Sequence, residues 1–310
     1  MIESSESQEL KSGSKIERVF VVLNPVAGLT NAEDSRDRIS RFCEEQGWKC
    51  EIHETQPDDD LKQIVQDALK DKVDMVIATG GDGTVSGVVT GMVNSHVPMG
   101  IIPAGTGNAL ARDLGIPLDL NGALTLLGGE HKVSAMDVMK IGDDFYVLNV
   151  SVGLSSLTMR NTAREEKRRF GFLAYIWRAL GLLAAPDLHK FQITVDGETY
   201  QYWSTEVMVA NSKLMGLQPQ VKGVNVDAMD GRLDLFVVQA RDTGGIIRIF
   251  SLLLRPFRGK SDPDLLYIPV RKTLEIISEF PLPVQADGED IGSTPVKIQL
   301  IPGALHVVTP

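Results

Sequence analysis

Two cysteines in 310 residues, Cys43 and Cys50, provide no disulfide framework, and that scarcity fits a reducing cytoplasm. No run of 18 or more apolar residues occurs, so the sequence predicts no spanning helix and a chain that is soluble or peripheral to a membrane. Residues 1–15 contain no apolar stretch of the signal-peptide kind, and the polar segment 1–16 reads as a disordered tail. Basic residues are in deficit. Lys plus Arg number 31 against 41 Asp plus Glu, and the net charge of −10 argues against a nucleic-acid partner. The missing motifs narrow the field further. There is no G-x-x-x-x-G-K-[ST], which excludes a P-loop, and no G-x-G-x-x-G after the first strand, which argues against a dinucleotide-reading Rossmann site. H-E-x-x-H and G-x-S-x-G are absent too, and the five histidines carry no metal-ligand spacing.

What is present is a core-forming chain, 43% hydrophobic, with two grammars. From Arg18 to about Met99, apolar strand runs (Val19–Leu23, Lys49–Glu54, Met75–Thr79, Met99–Ile102) alternate with helical periodicity at Glu33–Gln46, Asp58–Lys70 and 84–94. That order predicts an α/β domain over 17–132, a parallel sheet covered on both faces by helices. Beyond about residue 135, short strands follow one another: Val133–Ile141, Asp144–Val152, Phe191–Val195, Tyr200–Asn211, Leu233–Ala240, Lys272–Ser278, Val296–Ile301 and Ala304–Thr309. Asp143-Asp144 and Asp196-Gly197 read as hairpin turns. This predicts a β-sandwich domain over 133–310 with inserted helices at about 164–185 and 243–256, its last strands at 296–310 free to return to the first domain.

Four segments carry chemistry. Gly80-Gly81-Asp82-Gly83-Thr84 lies between a strand and a helix, where close backbone approach and unpaired first-turn amides favour an anion. Asp82 within it can hold a cation or accept a proton. Pro103-Ala104-Gly105-Thr106-Gly107-Asn108 sits at the end of the next strand. Thr106 and Asn108 can bond phosphate, and Asn108 suits the N-terminal position of the helix that follows. Asp287-Gly288-Glu289 reads equally as a polar hairpin turn or as the carboxylate that removes a proton from an acceptor hydroxyl. Asp227, Asp230 and Asp234, beside Gly231, read equally as a hard-cation site or a solvated turn. Asn24, Thr55 and both glycine loops lie at strand C-terminal ends, the rim where open α/β sheets bind ligands.

Together these residues resemble the diacylglycerol kinase catalytic family, which includes sphingosine kinases, ceramide kinases and bacterial soluble lipid kinases. The resemblance spans roughly 17–310. Asn24-Pro25 with Gly28 is similar to the family's first nucleotide loop, and Thr55 stands at its nucleotide-contacting threonine. Residues 80–86 are similar to its signature loop and 103–108 to its Pro-x-Gly-Thr-x-Asn motif. The resemblance implies an ATP-dependent lipid kinase using Mg²⁺, with diacylglycerol or a related lipid as acceptor. It implies ATP on Asn24, Pro25, Gly28, Thr55, Gly80, Gly81, Asp82, Gly83, Thr84, Gly105, Thr106 and Asn108. Asp82 with Asp287 or Glu289 would supply the chemistry. A structural Mg²⁺ on Asp227, Asp230 and the Arg232 backbone is also implied. The segments Gly153-Leu154-Ser155-Ser156 and that around Gly216 depart from the family pattern on the acceptor side.

Such an enzyme meets its substrate at a bilayer. Arg164–Ala185 and Ile246–Lys260 mix basic with apolar and aromatic residues, as a membrane-surface helix does, although helices capping a sandwich core have the same pattern. The expected location is cytoplasmic and membrane-peripheral, and free sheet edges allow a homodimer. Two other readings use the same loop: an NAD kinase or phosphofructokinase-like enzyme, and a catalytically weak lipid-binding regulator.

Overall fold

The computed structural model describes residues 16–27, 32–153, 188–213, 224–242, 244–245, 247–249 and 262–310. The N-terminal tail, Gly28, the Leu154–Ser156 segment, Gly216, the helical run at 164–185 and nearly all of 246–260 lie outside them.

The apolar runs of the first half form the parallel strands their composition demands. β1 (Arg18–Leu23), β2 (Lys49–Glu54), β3 (Met75–Gly80) and β4 (Met99–Pro103) line up as β2-β1-β3-β4, all parallel. β3 and β4 are buried along their whole length, whereas β2, at the sheet edge, has no fully buried residue. α1 (Ala32–Gln46) and α5 (Leu120–Gly128) close one face over Val21, Ile39, Ile77 and Leu127. α2 (Leu61–Lys70) and α3 (Asp82–Met92) close the other over Phe20, Val65, Val76 and Val88. The short α4 (Ala109–Asp113) follows β4.

The second half contributes β5 (Lys132–Ile141), β6 (Asp144–Tyr146), β7 (Asn149–Gly153), β8 (His189–Val195), β9 (Glu198–Ser204), β10 (Glu206–Ala210), β11 (Leu233–Val238) and β12 (Leu265–Val270). It ends with β13 (Thr273–Ser278), β14 (Pro283–Ala286), β15 (Glu289–Ser293) and β16 (Val296–Thr309). Six of these strands form an antiparallel sheet, β12-β11-β10-β7-β14-β15. The others extend the parallel sheet to ten strands, because β16 pairs parallel with β4 at Val307↔Met99 and antiparallel with β5 and β13. The two sheets face each other across a core of Met139, Val152, Phe191, Leu235, Leu274 and Ile298. The architecture is therefore α/β followed by a β-sandwich, as the two grammars indicate, with one sheet shared by both halves.

Several elements differ from the pattern reading, each for a physical reason. α2 starts at Leu61 instead of Asp58. The Asp60 side chain caps it by accepting the Gln63 N–H at 3.1 Å, and Asp59 is drawn to His53 Nε2 at 2.7 Å. α3 starts at Asp82, so Asp82, Gly83 and Thr84 belong to a helical first turn. α5 escaped the periodicity reading; Asp119 caps it by accepting the Gly122 N–H. The strand expected over Asp144–Val152 is broken at Val147-Leu148, whose amides leave the ladder for a carboxylate described below. The turn before it is Gly142-Asp143, and Asp144 already begins β6. The run Tyr200–Asn211 divides at Thr205, where the chain passes from one sheet to the other. Conversely, Val296–Ile301 and Ala304–Thr309 are one strand, β16, with a register shift between Ile301 and Leu305.

Candidate active site

The rim of the parallel sheet gathers the glycine loops. β3 ends at Gly80, Gly81 is the N-cap of α3 in extended conformation, and no side chain among the described residues caps that helix. Its first-turn amides therefore remain available to an anion, with the helix dipole behind them. Thr84 is buried beneath Gly80, and Asn24 Nδ2 donates to Thr84 Oγ1 at 3.0 Å, tying the end of β1 to the turn. Asn24 Oδ1 accepts the Val26 N–H across Pro25, and the Thr55 N–H donates to the Leu23 carbonyl. Thr79 Oγ1, just before the turn, is buried with no partner among the described residues.

The second loop packs directly on the first. A Cβ on Gly105 would lie 2.5 Å from the Gly81 Cα, and one on Gly107 2.6 Å from Asp82 Oδ2. Asn108 occupies the N-cap position of α4 in left-handed conformation, but its side chain turns back. Its Oδ1 accepts the Gly105 N–H at 2.9 Å and its Nδ2 donates to the Gly105 carbonyl at 2.8 Å. The cap on α4 comes from the other loop, where Asp82 Oδ1 accepts the Ala109 N–H at 2.6 Å. Asn108 is thus a loop clasp, and Asp82 couples the two loops. Thr106 is exposed on the rim. Gly105→Ala should drive the loops apart, since backbone stands on both sides of the contact; we expect about 1–3 kcal/mol of destabilisation. Thermal unfolding of that variant, read against Gly115→Ala, a positive-φ site with open space, separates steric clash from backbone strain.

Opposite the loops stands the Asp287-Gly288 hairpin turn between β14 and β15. Both residues have positive φ, 48° and 89°. The Asp287 carboxylate accepts three amides from the chain linking β6 to β7: Val147 at 2.8 Å, Leu148 at 2.9 Å and Asn149 at 3.0 Å. Burial pushes its carboxyl up to about 6 despite those three donors, and the charge of Asp82 adds to the rise. Asp82 and Asp287, from opposite halves of the chain, are therefore near enough for the charge of one to act on the other. Glu289 is exposed, and its Oε1 lies 4.0 Å from where a Cβ on Gly83 would sit, so it looks onto the first turn of α3. Tyr146 lies in the same cleft; burial, then Asp144, Glu289 and Asp287, push its phenol up to about 12. Gln285 backs the turn. Its Oε1 accepts the Gly288 N–H, and its Nε2 donates to Asn149 Oδ1 and Ser151 Oγ.

The third acidic segment is arranged differently. Asp227 Oδ1 accepts the Met229 N–H, and Asp230 pairs with Arg232 at 3.2 Å. Arg232 also approaches Asp234, which accepts the Tyr267 O–H at 2.7 Å. Among the described residues no three His, Cys, Asp or Glu side chains are close enough to hold a metal ion. Asp137, which the motif reading passed over, is the buried partner of this segment. Its carboxylate accepts the Gly231 N–H at 2.7 Å and the Gly303 N–H at 2.8 Å, joining the turn to the β16 bulge. Burial raises its carboxyl, and Asp230 and Asp227 add to the rise. The signal in the sequence was a single aspartate inside the apolar run Val133–Ile141.

Comparison with known proteins bears on the site. The model of the diacylglycerol kinase catalytic domain matches residues 18–141, and that of the YegS C-terminal NAD kinase beta sandwich-like domain matches 148–309. An uncharacterised Synechocystis protein is 28% identical over 97% of this chain and 72% of its own length. A Streptococcus pneumoniae protein named "Putative lipid kinase" is 24% identical over 94% of this chain and 98% of its own. Among solved structures, one from Bacillus anthracis described as "a putative diacylglycerol kinase" superposes with a TM-score of 0.81 at 28% identity, covering 96% of this chain and 99% of that one.

Proposed function

The chain belongs to the family that joins a diacylglycerol kinase catalytic domain to a YegS-type NAD kinase-like β-sandwich, and on that premise we propose that it transfers the γ-phosphate of ATP to a lipid hydroxyl, diacylglycerol or a close relative. The observation that carries this reading is the meeting of an uncapped helix N-terminus, built from two interlocked glycine loops, with a carboxylate from the other half whose basicity is raised.

In this reading the triphosphate lies on the first-turn amides of α3, between Asn24 and Thr106, with the nucleoside toward Thr55. Glu289 and Asp82 place negative charge against the very turn that receives phosphate, an arrangement that suits a cation between them. Mg²⁺ held by those two carboxylates would neutralise charge on the transferring phosphate. Asp287 accepts the proton of the acceptor hydroxyl as its oxygen attacks the γ-phosphorus. Three amides hold that carboxylate still, and a base near pH 6 is largely ionised at neutral pH while remaining basic enough to take a proton. The acceptor approaches from the sandwich side, with the protein against a membrane surface. Among the described residues no helix is long and apolar enough to cross a bilayer.

The direct test follows γ-labelled phosphate from ATP with Mg²⁺ into mixed micelles carrying diacylglycerol, a long-chain base, a polyprenol or a glycerophospholipid. Label in the organic phase supports the reading; label in NAD and in none of the lipids overturns it. The pH dependence tests the base. With the Asp287 pKa at about 6, kcat/KM should fall about tenfold per unit below pH 6 and level off above it. A profile flat from pH 5 to 7 would remove Asp287 from that role.

A further inference from the structure

His96 and His306 have no ligand spacing in the sequence, yet they meet where β16 returns to the first domain. Their ring centroids are 5.5 Å apart and the ring planes are tilted by 56°, so the imidazoles are not stacked face to face. His306 is in β16, one residue before the Val307↔Met99 pairing with β4, and His96 is in the loop that joins α3 to β4. That loop is already fixed. Asn94 N–H donates to the Ala304 carbonyl at 2.9 Å, Ser95 N–H to the Met92 carbonyl at 2.9 Å, and Val97 N–H to Ser95 Oγ at 3.1 Å. His96 is exposed and His306 is half-buried, so solvent reaches both. His306 Nδ1 lies 3.1 Å from the Ser95 carbonyl. A carbonyl only accepts, so Nδ1 carries the proton and Nε2 keeps its lone pair. Neither that Nε2 nor either nitrogen of His96 has a hydrogen-bond partner among the described residues.

We propose that His96 and His306 form a two-histidine site for a borderline transition-metal ion, Zn²⁺, Ni²⁺ or Cu²⁺. Three features support it. Two imidazoles on one metal at about 2.0–2.1 Å and a tetrahedral angle have their centroids roughly 5 Å apart, close to the separation seen here. The bond from His306 Nδ1 to a backbone carbonyl is the contact that orients a ligating histidine and presents its other nitrogen. The supporting loop is held by its own backbone bonds, so little has to be ordered on binding. Among the described residues no third His, Cys, Asp or Glu joins the pair, so water completes the metal's shell. Imidazole suits these ions, whereas Mg²⁺ wants oxygen ligands, so the site is chemically distinct from the carboxylates of the proposed kinase centre. It is also remote from them. Met99 begins β4, which puts the pair at the end of the parallel sheet opposite the nucleotide rim. A bound ion would fasten the loop after α3 to β16, and so tie the two halves of the chain together at that end.

The test titrates the purified full chain, free of any affinity tag and stripped with chelator, with NiCl₂ and ZnCl₂ in a calorimeter while Mg²⁺ is present. The expected result is one ion per chain with micromolar affinity that Mg²⁺ does not displace. His96→Ala and His306→Ala should each weaken binding at least as much as loss of an orienting partner does, about tenfold or more. His96 stands exposed in its loop, so its variant keeps the fold even if loss of the Ser95 contact disturbs the other. The Cu²⁺ complex gives a second readout. Its electron paramagnetic resonance spectrum should show two imidazole nitrogens in the parent and one in His96→Ala. Equal affinity in the parent and His96→Ala, or a parent that binds neither Ni²⁺ nor Zn²⁺ below about 1 mM, would overturn the proposal. Phosphate transfer is not read, so failure here is distinct from failure of the kinase reading.

Discussion

Asp82→Asn should lower turnover by about 10³-fold while leaving the melting temperature within a few degrees of the parent. The amide oxygen of asparagine can still accept the Ala109 N–H, so the coupling between the two glycine loops persists. What disappears is the negative charge. In the proposed mechanism that charge helps to hold Mg²⁺, and no uncharged group replaces it there. A second signature separates this from general damage. Asp82 is one of the causes that raise Asp287, after burial, so the residual activity of the variant should have its acid limb displaced to lower pH. Steady-state assays across pH, with thermal unfolding on the same preparation, check both. Parent-like turnover would remove Asp82 from the chemistry.

Asp287→Asn is expected to be at least as damaging to turnover, on the order of 10²–10⁴-fold for loss of a general base. Its stability effect should carry a distinct pH signature. The folded-state pKa of Asp287, about 6, lies above its ordinary value of 3.8, so the folded protein binds this proton more tightly than the unfolded chain. The contribution of the acid form is full below about pH 4 and is lost as pH rises through 6, on the order of 2–3 kcal/mol. Asparagine cannot ionise, so its stability relative to the parent should improve across that window. Opposing this at every pH, the asparagine NH₂ has to face one of the three amides that the carboxylate accepts, a donor against a donor. Unfolding at pH 4 and at pH 7 measures the difference between these terms. A stability difference that does not change between the two would mean that Asp287 is not shifted in the folded protein. Glu289→Gln should lower turnover as well, because the proposed cation then keeps only the Asp82 carboxylate of the two.

Much of this site was legible in the chain because it is local. Gly80–Thr84 and Gly105–Asn108 each join a fully buried strand to a helical run, and strand, turn and helix are specified within about twenty residues. Asp196-Gly197 was recognisable as a turn for the same reason: the two residues take positive φ, 50° and 96°, as a two-residue hairpin requires. What escaped was partnership at a distance. Asn108 has the chemistry of a helix cap, yet its side chain clasps Gly105 and the cap on α4 comes from Asp82, 26 residues earlier than Asn108. Asp137 gave only the faint signal of one acid in an apolar strand, because its partners, Gly231 and Gly303, are 94 and 166 residues away.

The sequence by itself therefore determined the two grammars, the absence of other nucleotide motifs, the glycine loops and the acidic turn, since periodicity and backbone freedom are properties of neighbours. Only the tertiary structure decided that β16 runs back to β4 and makes one sheet of both halves, and that Asp287 and Glu289 have different surroundings two residues apart. The physical reason is that buried hydrogen-bonding groups must find partners wherever the fold brings them. The amides of Val147, Leu148 and Asn149 close on a carboxylate about 140 residues further along, and no local pattern specifies which acid that will be.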